Sequence, residues 1–303
     1  MVKIVLAGGS GSLGRRLAAD LSPRGHEVVI LTRSPQSSSP HRQVLWDGAT
    51  AGPWAPELEG AAIINLAGAL VDRRPTAANI ELLTRSRVEP IRALAAAAGT
   101  LTTPPTVWIQ ASTLAIYGDG GEAVLDESSS PADGPAQMAG VARAWEAAAA
   151  VVSTGRQVVM RTGIVLDRGT PAMDRLTGLA RWGLGGRIAD GRQWVSWIHI
   201  NDFLAVVRRA LDDDGLSGVV HVTSPNPVRN AELMAILRKK LHRPAALPTP
   251  AVLVHLGARI LRTDPALALT GRRCVPARLL EADFSFIYPR LDEAVEDLIS
   301  DRS

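Results

Sequence analysis

The chain has 303 residues, of which 46% are hydrophobic, and a formal net charge of +3 at pH 7. This length predicts one large α/β unit, or a nucleotide domain with a smaller lobe. The basic excess is mild and forms no long run, so we expect no nucleic-acid binding. The single cysteine, Cys274, excludes an internal disulfide framework and a multi-cysteine metal site.

The apolar runs are all shorter than a membrane span. The first one, Ile4 to Ala7, ends at a glycine pair and is also too short for a secretion signal. The six histidines show no ligand spacing with carboxylates, which argues against a metal site. We therefore expect a cytoplasmic protein that does not enter a membrane and binds no metal.

The first thirty residues have the pattern of a nucleotide-binding βαβ unit. Residues 2–7 predict a buried strand, and Leu13, Leu17 and Leu21 have the spacing of a helix. A second apolar strand is predicted over 27–32. The order strand, turn, helix, strand within about thirty residues is typical of dinucleotide binding.

Strands and helices continue to alternate along the chain. In order, we predict a strand at 61–66, a helix at 88–98, a strand at 106–109, a helix at 140–152, strands at 157–160 and 218–222, and a helix at 231–241. This alternation predicts an α/β fold of the Rossmann type, with a doubly wound and mainly parallel sheet. We assign residues 1–165, with returning segments near 198–224, to the nucleotide domain and 166–303 to a smaller C-terminal substrate lobe.

The turn after the first strand carries three glycines, Gly8, Gly11 and Gly14, at intervals of three residues. They would provide a tight turn, a close approach of the backbone to a pyrophosphate, and close helix packing. The intervening residues Ser10, Ser12 and Leu13 are assigned to the same site. The alternative is an ordinary turn between a strand and a helix.

The end of the second strand bears on the choice of dinucleotide. An acidic residue there would bind the ribose 2′-hydroxyl of NAD, whereas an arginine would pair with a 2′-phosphate. The chain has Arg33 and Ser34 and no acid, which favours NADP(H) as cofactor, although Arg33 could instead be a plain surface residue. Asn65, Ala67 and Gly68 end a later strand, where small residues would let the backbone pass close to the cofactor or form a simple turn.

Together these residues resemble the atypical, epimerase-like group of extended short-chain dehydrogenase/reductases, whose members carry a C-terminal domain of unknown function. The resemblance covers nearly the whole chain. It is carried by Gly8 to Gly14, Leu31 to Arg33, Ile64 to Gly68, Ala111 to Thr113, Tyr117-Gly118, Trp145-Glu146, Arg161 to Gly163, Gly191 to Trp194 and Ser196 to His199, and by Ser224 to Val228 and Val275 to Leu280 in the C-terminal part. The resemblance implies a Rossmann core that includes Gly163 in the cofactor site, and a substrate lobe built from later segments.

Ordinary members of that superfamily use a Tyr-x-x-x-Lys pair, in which lysine lowers the pKa of the tyrosine phenol. This chain has two tyrosines, and the residues four positions after them are Gly121 and Asp292. Counting back from Glu146, the expected positions hold Met138 and Ala142. The atypical group resembles this chain in lacking the pair, so the usual basis for predicting a dehydrogenase is missing.

Four residues remain as catalytic candidates. Ser112 and Thr113 follow a predicted strand, where one hydroxyl would orient a substrate oxygen; alternatively both bond to backbone. Tyr117 would need a nearby cation to act as a base at pH 7, and otherwise packs against the cofactor or the lobe. His199 titrates in a useful range, and its alternative is a structural histidine.

Some other side chains have two interpretations each. Arg161 and Arg192 would bind an acidic substrate group or brace loops. Trp182, Trp194 and Trp197 would line an apolar pocket or fill the lobe's core. Asp202 is predicted to cap a helix that starts at Phe203.

The sequence therefore suggests two functions. The first is an NADP(H)-dependent oxidoreductase, epimerase or dehydratase that acts on a small oxygenated substrate. The second is a non-catalytic NADP(H)-binding sensor or scaffold. The partner expected from the first is a small-molecule substrate, and a homodimer is suggested only by analogy with related folds.

Overall fold

Seven strands form one sheet in which every neighbouring pair is parallel. The computed structural model describes residues 1–152 and 154–300. The strands are β1 Lys3–Ala7, β2 Glu27–Thr32, β3 Arg42–Leu45, β4 Ala62–Asn65, β5 Val107–Thr113, β6 Val124–Leu125, β7 Gln157–Thr162, β8 Ile164–Leu166, β9 Trp194–Val195, β10 Trp197–His199, β11 Gly218–Val222, β12 Val228–Arg229 and β13 Arg273–Cys274. The order in the sheet is β11-β7-β5-β4-β1-β2-β3, so the winding reverses at β1.

Helices cover both faces of this sheet. They are α1 Ser12–Leu21, α2 Ala77–Ala98, α3 Val141–Ala149, α4 Pro171–Arg181, α5 Ile200–Asp212, α6 Asn230–Lys240, α7 Ala251–Leu261, α8 Ala266–Leu269, α9 Ala277–Glu281 and α10 Leu291–Ile299. The predicted α/β fold of the Rossmann type is confirmed. In such sheets ligands bind outside the carboxyl ends of the strands, at the point of reversal.

Alternate residues of β1 face two different cores. Ile4 and Leu6 pack in one core with Leu17 of α1, and Val5 and Ala7 pack in the other with Leu94 of α2. Because both faces are buried, the strands are apolar at nearly every position. This explains why the sequence shows continuous apolar runs rather than alternation.

The C-terminal segments divide between the sheet and a separate cluster. Strand β11 pairs with β7, and α5 packs on the same face as α1, so residues 200–222 return to the main sheet. Helices α4, α6 and α10 pack around a third apolar cluster. Short strand pairs, β8 with β10, β9 with β12 and β6 with β13, connect this part to the sheet's carboxyl edge.

Helix α2 is longer than predicted. It begins at Ala77, where the Thr76 side chain caps it by accepting a hydrogen bond from the Asn79 N–H at 3.3 Å, and Pro90 lies inside it. The alanine-rich segment that predicted a helix is its second half. Among residues 1–152 and 154–300, no helix is long and apolar enough to cross a membrane.

Candidate cofactor and reaction site

The turns that follow β1 and β4 touch each other. Gly8 has φ +77°, and a Cβ built on it would lie 2.9 Å from Ala67 Cα. A Cβ on Gly14 would lie 2.4 Å from Gly9 Cα, where helix α1 meets the turn. Only glycine fits at both places. The result is a cradle of backbone at the start of α1, where free N–H groups and the helix dipole favour an anion.

A cavity of about 610 Å³ opens over this cradle. Six of the predicted cofactor residues line it: Gly8, Ser10, Gly11, Arg33, Ala67 and Gly68. The Arg33 side chain is exposed at the edge of this cavity. The glycine turn and the end of β2 therefore belong to one site.

The other predicted cofactor residues lie outside the lining. Ser12 and Leu13 open α1, and the Ser34 N–H bonds to Thr32 Oγ1 at 3.3 Å. Asn65 is buried and shapes the second turn, because its Oδ1 accepts the Ala67 N–H at 3.1 Å. Gly163 allows a close approach elsewhere, since a Cβ there would lie 2.7 Å from the Ser196 carbonyl oxygen.

Two walls of the cavity were not predicted. One is the turn after β3, where the Asp47 carboxylate accepts the Ala49 and Thr50 N–H groups at 2.8 and 2.9 Å. The second is the first half of α2, which presents Glu81, Arg85 and neighbouring residues. The Asp47-Gly48 pair is a turn signal that the sequence does offer, whereas the start of α2 lacks a clear apolar period.

The buried guanidinium of Arg87 lies next to the turn that follows β4. The Arg87 guanidinium donates to the carbonyl oxygens of Ala69 and Leu83, each at 3.0 Å, and stacks on the Trp145 ring at 4.9 Å. Burial lowers the pKa of Arg87 to about 10, so the side chain is charged at neutral pH. Arg87 ties α2 to the loop that starts at Gly68.

Residues from four of the predicted motifs meet in one buried network at the carboxyl ends of β5 and β7. The Ser112 hydroxyl donates to Glu146 Oε1 at 2.5 Å. The Glu146 carboxylate accepts two hydrogen bonds from the Arg161 guanidinium, from Nε at 2.9 Å and from Nη2 at 2.8 Å. Arg161 Nη1 also donates to the Tyr117 hydroxyl at 2.6 Å. The register of the sheet explains the meeting, because Ser112 of β5 lies opposite Arg161 of β7.

The network continues to a second titratable group. The Tyr117 phenol oxygen lies 2.7 Å from His221 Nε2 and 3.0 Å from the Asp126 carbonyl oxygen. His221 Nδ1 lies 2.9 Å from the Val275 carbonyl oxygen, a contact that requires a proton on Nδ1. Burial lowers the pKa of His221, so Nε2 of the neutral ring is an acceptor, and the single phenol hydrogen of Tyr117 is shared between this nitrogen and the Asp126 carbonyl oxygen. Arg161 is thus the nearby cation that the sequence did not place beside Tyr117.

The Tyr117 hydroxyl is enclosed. The residue is 4% exposed, and burial raises the pKa of its phenol to about 12 in spite of Arg161. The structure thus places Tyr117 inside the protein, with Arg161 and His221 as partners. The sequence left two interpretations of Arg161, substrate binding and loop bracing. In the structure its guanidinium donates hydrogen bonds to Glu146 and Tyr117.

The two positions of the missing catalytic pair are filled differently. Ala142 of α3 is buried in an apolar cluster with Leu114, Ile116, Tyr117 and Cys274. Met138 lies half-buried in a π-helical turn at Ala136–Gly140 that precedes α3. The nearby Thr113 is half-buried, and its hydroxyl accepts the Ala115 N–H at 3.1 Å.

His199 lies apart from the other candidates. It caps α5, with Nδ1 accepting the Asn201 N–H at 3.1 Å, and its Nε2 lies 3.3 Å from Asp297 of α10. Its ring stacks on Tyr288 at 4.0 Å. The prediction that Asp202 caps this helix is wrong: Asp202 lies inside α5 and accepts the N–H groups of Ile287 and Tyr288.

Within residues 1–152 and 154–300, no group of three histidine, cysteine or carboxylate side chains could hold a metal ion. The tryptophans also differ from one another. Trp197 is fully buried, Trp194 is half-buried between arginines, and Trp182 is 85% exposed.

Comparison with known families identifies two regions. Residues 4–222 match the NAD dependent epimerase/dehydratase family, and residues 249–298 match a domain of unknown function (DUF1731). Among curated proteins, the chain is 33% identical to the epimerase family protein SDR39U1 of Bos taurus, over 99% of this chain and 100% of that protein. It is 31% identical to the epimerase family protein YfhF of Bacillus subtilis, over 99% of each.

Solved structures agree in fold. The crystal structure of human epimerase family protein SDR39U1 with NADPH superposes with a TM-score of 0.86, at 31% identity and 98% coverage of both chains. A nucleoside-diphosphate sugar epimerase from Corynebacterium glutamicum superposes with a TM-score of 0.78 at 30% identity, covering 98% of this chain and 58% of that one. The resemblance read from the sequence motifs is confirmed.

Proposed function

Because this chain belongs to the NAD-dependent epimerase/dehydratase family, we propose that it binds NADP(H) and carries out a redox step on a small oxygenated substrate. The overall reaction would be that of an oxidoreductase, an epimerase or a dehydratase. The observation that carries this proposal is the buried chain Ser112–Glu146–Arg161, at the same edge of the sheet as the glycine cradle.

The residues of the cavity fit a dinucleotide. The cradle at Gly8 and Gly11 would take the pyrophosphate, because backbone N–H groups there need no side chain to reach an anion. Arg33 would take the 2′-phosphate as a charge-assisted hydrogen-bond donor. The NADPH found with human SDR39U1, a 31% identical relative, supports the same choice. When bound, the nicotinamide would supply hydride transfer.

The protein's own part is to orient the substrate oxygen and move its proton. The Thr113 hydroxyl accepts from a backbone N–H, so its hydrogen is free to bond a substrate oxygen. Ser112 already donates to Glu146, so its lone pairs are oriented to receive a substrate hydroxyl proton. In the oxidation direction, Ser112 would take that proton while passing its own to the Glu146 carboxylate. Reduction runs the same transfers backwards.

The other members of the network act as positioning residues in this scheme. Arg161 fixes the Glu146 carboxylate through two bonds, and Tyr117 fixes Arg161. In this scheme Glu146 is the proton acceptor that the Tyr-x-x-x-Lys pair would otherwise provide, although it occupies neither position of that pair and no sequence motif marks it for this role. Its side chain is 16% exposed, which leaves a path for the proton to solvent.

The cofactor part is tested by titrating the protein with NADPH and with NADH, and repeating both on Arg33→Ala. A guanidinium on a 2′-phosphate contributes roughly 1.5–3 kcal/mol, which predicts about a tenfold to hundredfold preference for NADPH that the variant loses. Arg85→Ala, an arginine that lines the same cavity but bonds Glu89, is the matched control and should keep the preference. Equal affinity for both dinucleotides in the native protein would contradict the NADP(H) assignment.

The redox part is tested with a panel of small aldehydes, ketones and alcohols, followed by the cofactor's absorbance. Turnover by the native protein, lost in Glu146→Gln with an unchanged dissociation constant for NADPH, is the expected result. A protein that binds NADPH tightly, shows no turnover on the panel and changes its binding partners with NADPH would be a sensor or scaffold. The enclosed Tyr117 and the absent lysine are the observations that favour that second function.

A further inference from the structure

A second cavity, of about 280 Å³, lies on the other side of the loop that follows Tyr117. At its mouth the Glu122 carboxylate receives three donors. They are Arg229 Nη2, Trp194 Nε1 at 3.3 Å and Arg192 Nη2 at 3.4 Å. The donors come from β9, from the segment before it, and from β12, so three parts of the chain converge on one carboxylate.

Two of the three donors, Trp194 and Arg229, are held in place without Glu122. The Trp194 ring lies between two guanidinium groups, with Arg229 at 3.9 Å and Arg273 at 4.6 Å from its centroid. Arg229 Nη1 also bonds the Arg192 carbonyl oxygen, and β12 pairs with β9 at Arg229 and Trp194. A stacked guanidinium loses little freedom when it binds an anion. Trp194 and Arg229 are therefore in position before any ligand arrives, and the exposed Arg192 guanidinium completes the site.

Glu122 stands on a turn whose backbone is tied to the rest of the protein, since the Gly120 N–H donates to the Gly271 carbonyl oxygen at 2.8 Å. It lies in the loop 118–123, which contains three glycines, and Gly118 and Gly121 have φ of +60° and +52°. The Glu122 side chain is 59% exposed. The hydrogen bond from Arg229, with those from Trp194 and Arg192, lowers the pKa of Glu122 to about 2, so it remains an anion at any ordinary pH.

The remaining acids of the cavity are engaged with backbone. Asp119 Oδ1 accepts the Gly271 N–H at 3.1 Å, and Asp190 Oδ1 accepts the Arg192 N–H at 3.0 Å. Among residues 1–152 and 154–300, the ion pairs made by Arg192 and Arg229 are both with Glu122. Moving Glu122 away would leave two guanidinium groups and an indole N–H without their shared carboxylate, and the Asp119 and Asp190 carboxylates of the cavity would stay bound to backbone N–H groups.

We propose that Arg192, Trp194 and Arg229 form a binding site for a small oxyanion, a phosphate or carboxylate group, and that Glu122 occupies this site as an internal substitute. An arriving oxyanion takes the three donors, and the exposed Glu122 side chain turns out towards solvent. The site is separate from the cavity proposed for the cofactor, and its existence does not depend on the proposed function.

The test measures binding of inorganic pyrophosphate, and of acetate as a carboxylate, by calorimetry at low ionic strength. Glu122→Ala should bind pyrophosphate about tenfold to hundredfold more tightly than the native protein, because the competing carboxylate is gone. Glu122→Ala combined with Arg229→Met should lose that gain. Glu293→Ala is the matched control, because it removes an exposed carboxylate of α10 that pairs with an arginine, Arg290. This variant should behave like the native protein.

A fluorescence titration shows whether the anion binds next to Trp194. Pyrophosphate should change the tryptophan emission of Glu122→Ala and leave that of Glu122→Ala/Trp194→Phe unchanged, while thermal melting confirms that each variant is folded. If Glu122→Ala binds pyrophosphate and acetate no better than Glu293→Ala does, the oxyanion site does not exist. If the gain survives Arg229→Met, the anion binds elsewhere and the proposal fails.

Two further experiments distinguish an oxyanion that is part of a substrate from a free ion. If the group is part of a substrate, NADPH-dependent reduction should favour glyceraldehyde 3-phosphate over glyceraldehyde, and Arg192→Ala should remove the preference. If it is a free ion, both aldehydes should react alike and added phosphate should alter both rates. Either result supports the site, and neither is needed for the binding measurement, so a failure of the proposed redox function would be seen separately.

Discussion

The Glu146 carboxylate and the Arg161 guanidinium meet through two hydrogen bonds, at 2.9 and 2.8 Å, on adjacent elements α3 and β7. The side chains are 16% and 7% exposed, so this is an interior ion pair. It also holds Ser112 on one side and Tyr117 on the other. A pair in this position is expected to affect both stability and the orientation of the reacting hydroxyls.

Arg161→Met is expected to destabilise the fold by about 3–5 kcal/mol, because it leaves the Glu146 carboxylate without its counter-charge. The double variant Arg161→Met/Glu146→Gln should lose clearly less than the sum of the two single variants, since no charge is then stranded. Urea unfolding of the four proteins gives the free energies. Additive losses would mean that the two side chains do not interact.

Tyr117→Phe should lower stability by about 1–3 kcal/mol, because Arg161 Nη1 and His221 Nε2 each lose a buried partner. The dissociation constant for NADPH should stay the same, since Tyr117 does not line the cofactor cavity. Thermal unfolding and a fluorescence titration measure the two quantities. Should NADPH binding weaken as much as stability falls, Tyr117 would belong to the cofactor site after all.

The acid side of the stability curve should depend on His221. Burial lowers its pKa in the folded protein, with a smaller lowering from Arg161, and Glu127, Val275 and Asp126 act in the opposite direction. The unfolded chain then binds the proton more readily, so stability falls as pH drops below about 6.5 towards the lowered pKa. Above that range both states are neutral and the effect vanishes.

His221→Gln should therefore flatten the loss of stability as the pH falls below about 6.5, although the variant is less stable at pH 7 because it loses buried hydrogen bonds. Melting temperatures measured at intervals of pH test this. His255→Gln, on the exposed surface of α7, should keep the native slope. An unchanged slope in His221→Gln would show that other groups cause the acid sensitivity.

The sequence predicted the structure best where the backbone conformation requires one particular residue type. The glycines at Gly8, Gly11 and Gly14 predicted both the cradle and the start of α1, because no other residue fits so close to Ala67 and Gly9. Apolar runs predicted six of the seven strands of the sheet, and the edge strand β3, which is short, partly polar and partly exposed, was missed. The start of α2 was missed, because its first turns carry polar, partly exposed side chains that show no apolar stripe.

The buried network could not be derived from the sequence. Ser112 and Glu146 are 34 positions apart, and Glu146 and Arg161 are 15 apart, so their contact depends on strand register and on how α3 packs. The motifs marked each residue separately without pairing them. Arg161 therefore remained a choice between substrate binding and loop bracing, and the cation that Tyr117 was thought to lack was found only in three dimensions.

Gly14→Ala should weaken NADPH binding at least about tenfold and also destabilise the protein, because the new methyl group would overlap the backbone of Gly9. The turn must then open, and its N–H groups no longer converge. Gly178→Ala in α4 is the matched control, since its Cβ would meet no atom within 4 Å. That variant should bind NADPH normally and gain up to about 1 kcal/mol of stability.

Ser112→Ala and Thr113→Val separate the two hydroxyls proposed to act on the substrate. With an active substrate from the carbonyl panel, Ser112→Ala should lower kcat about 10²- to 10⁴-fold with little change in KM, because it interrupts proton transfer to Glu146. Thr113→Val should mainly raise KM, because it removes a hydrogen bond that orients the substrate oxygen. Both variants should bind NADPH as the native protein does. If Ser112→Ala keeps full kcat while Thr113→Val loses it, the proton passes by way of Thr113, and the Ser112–Glu146 bond serves only to hold α3 against β5.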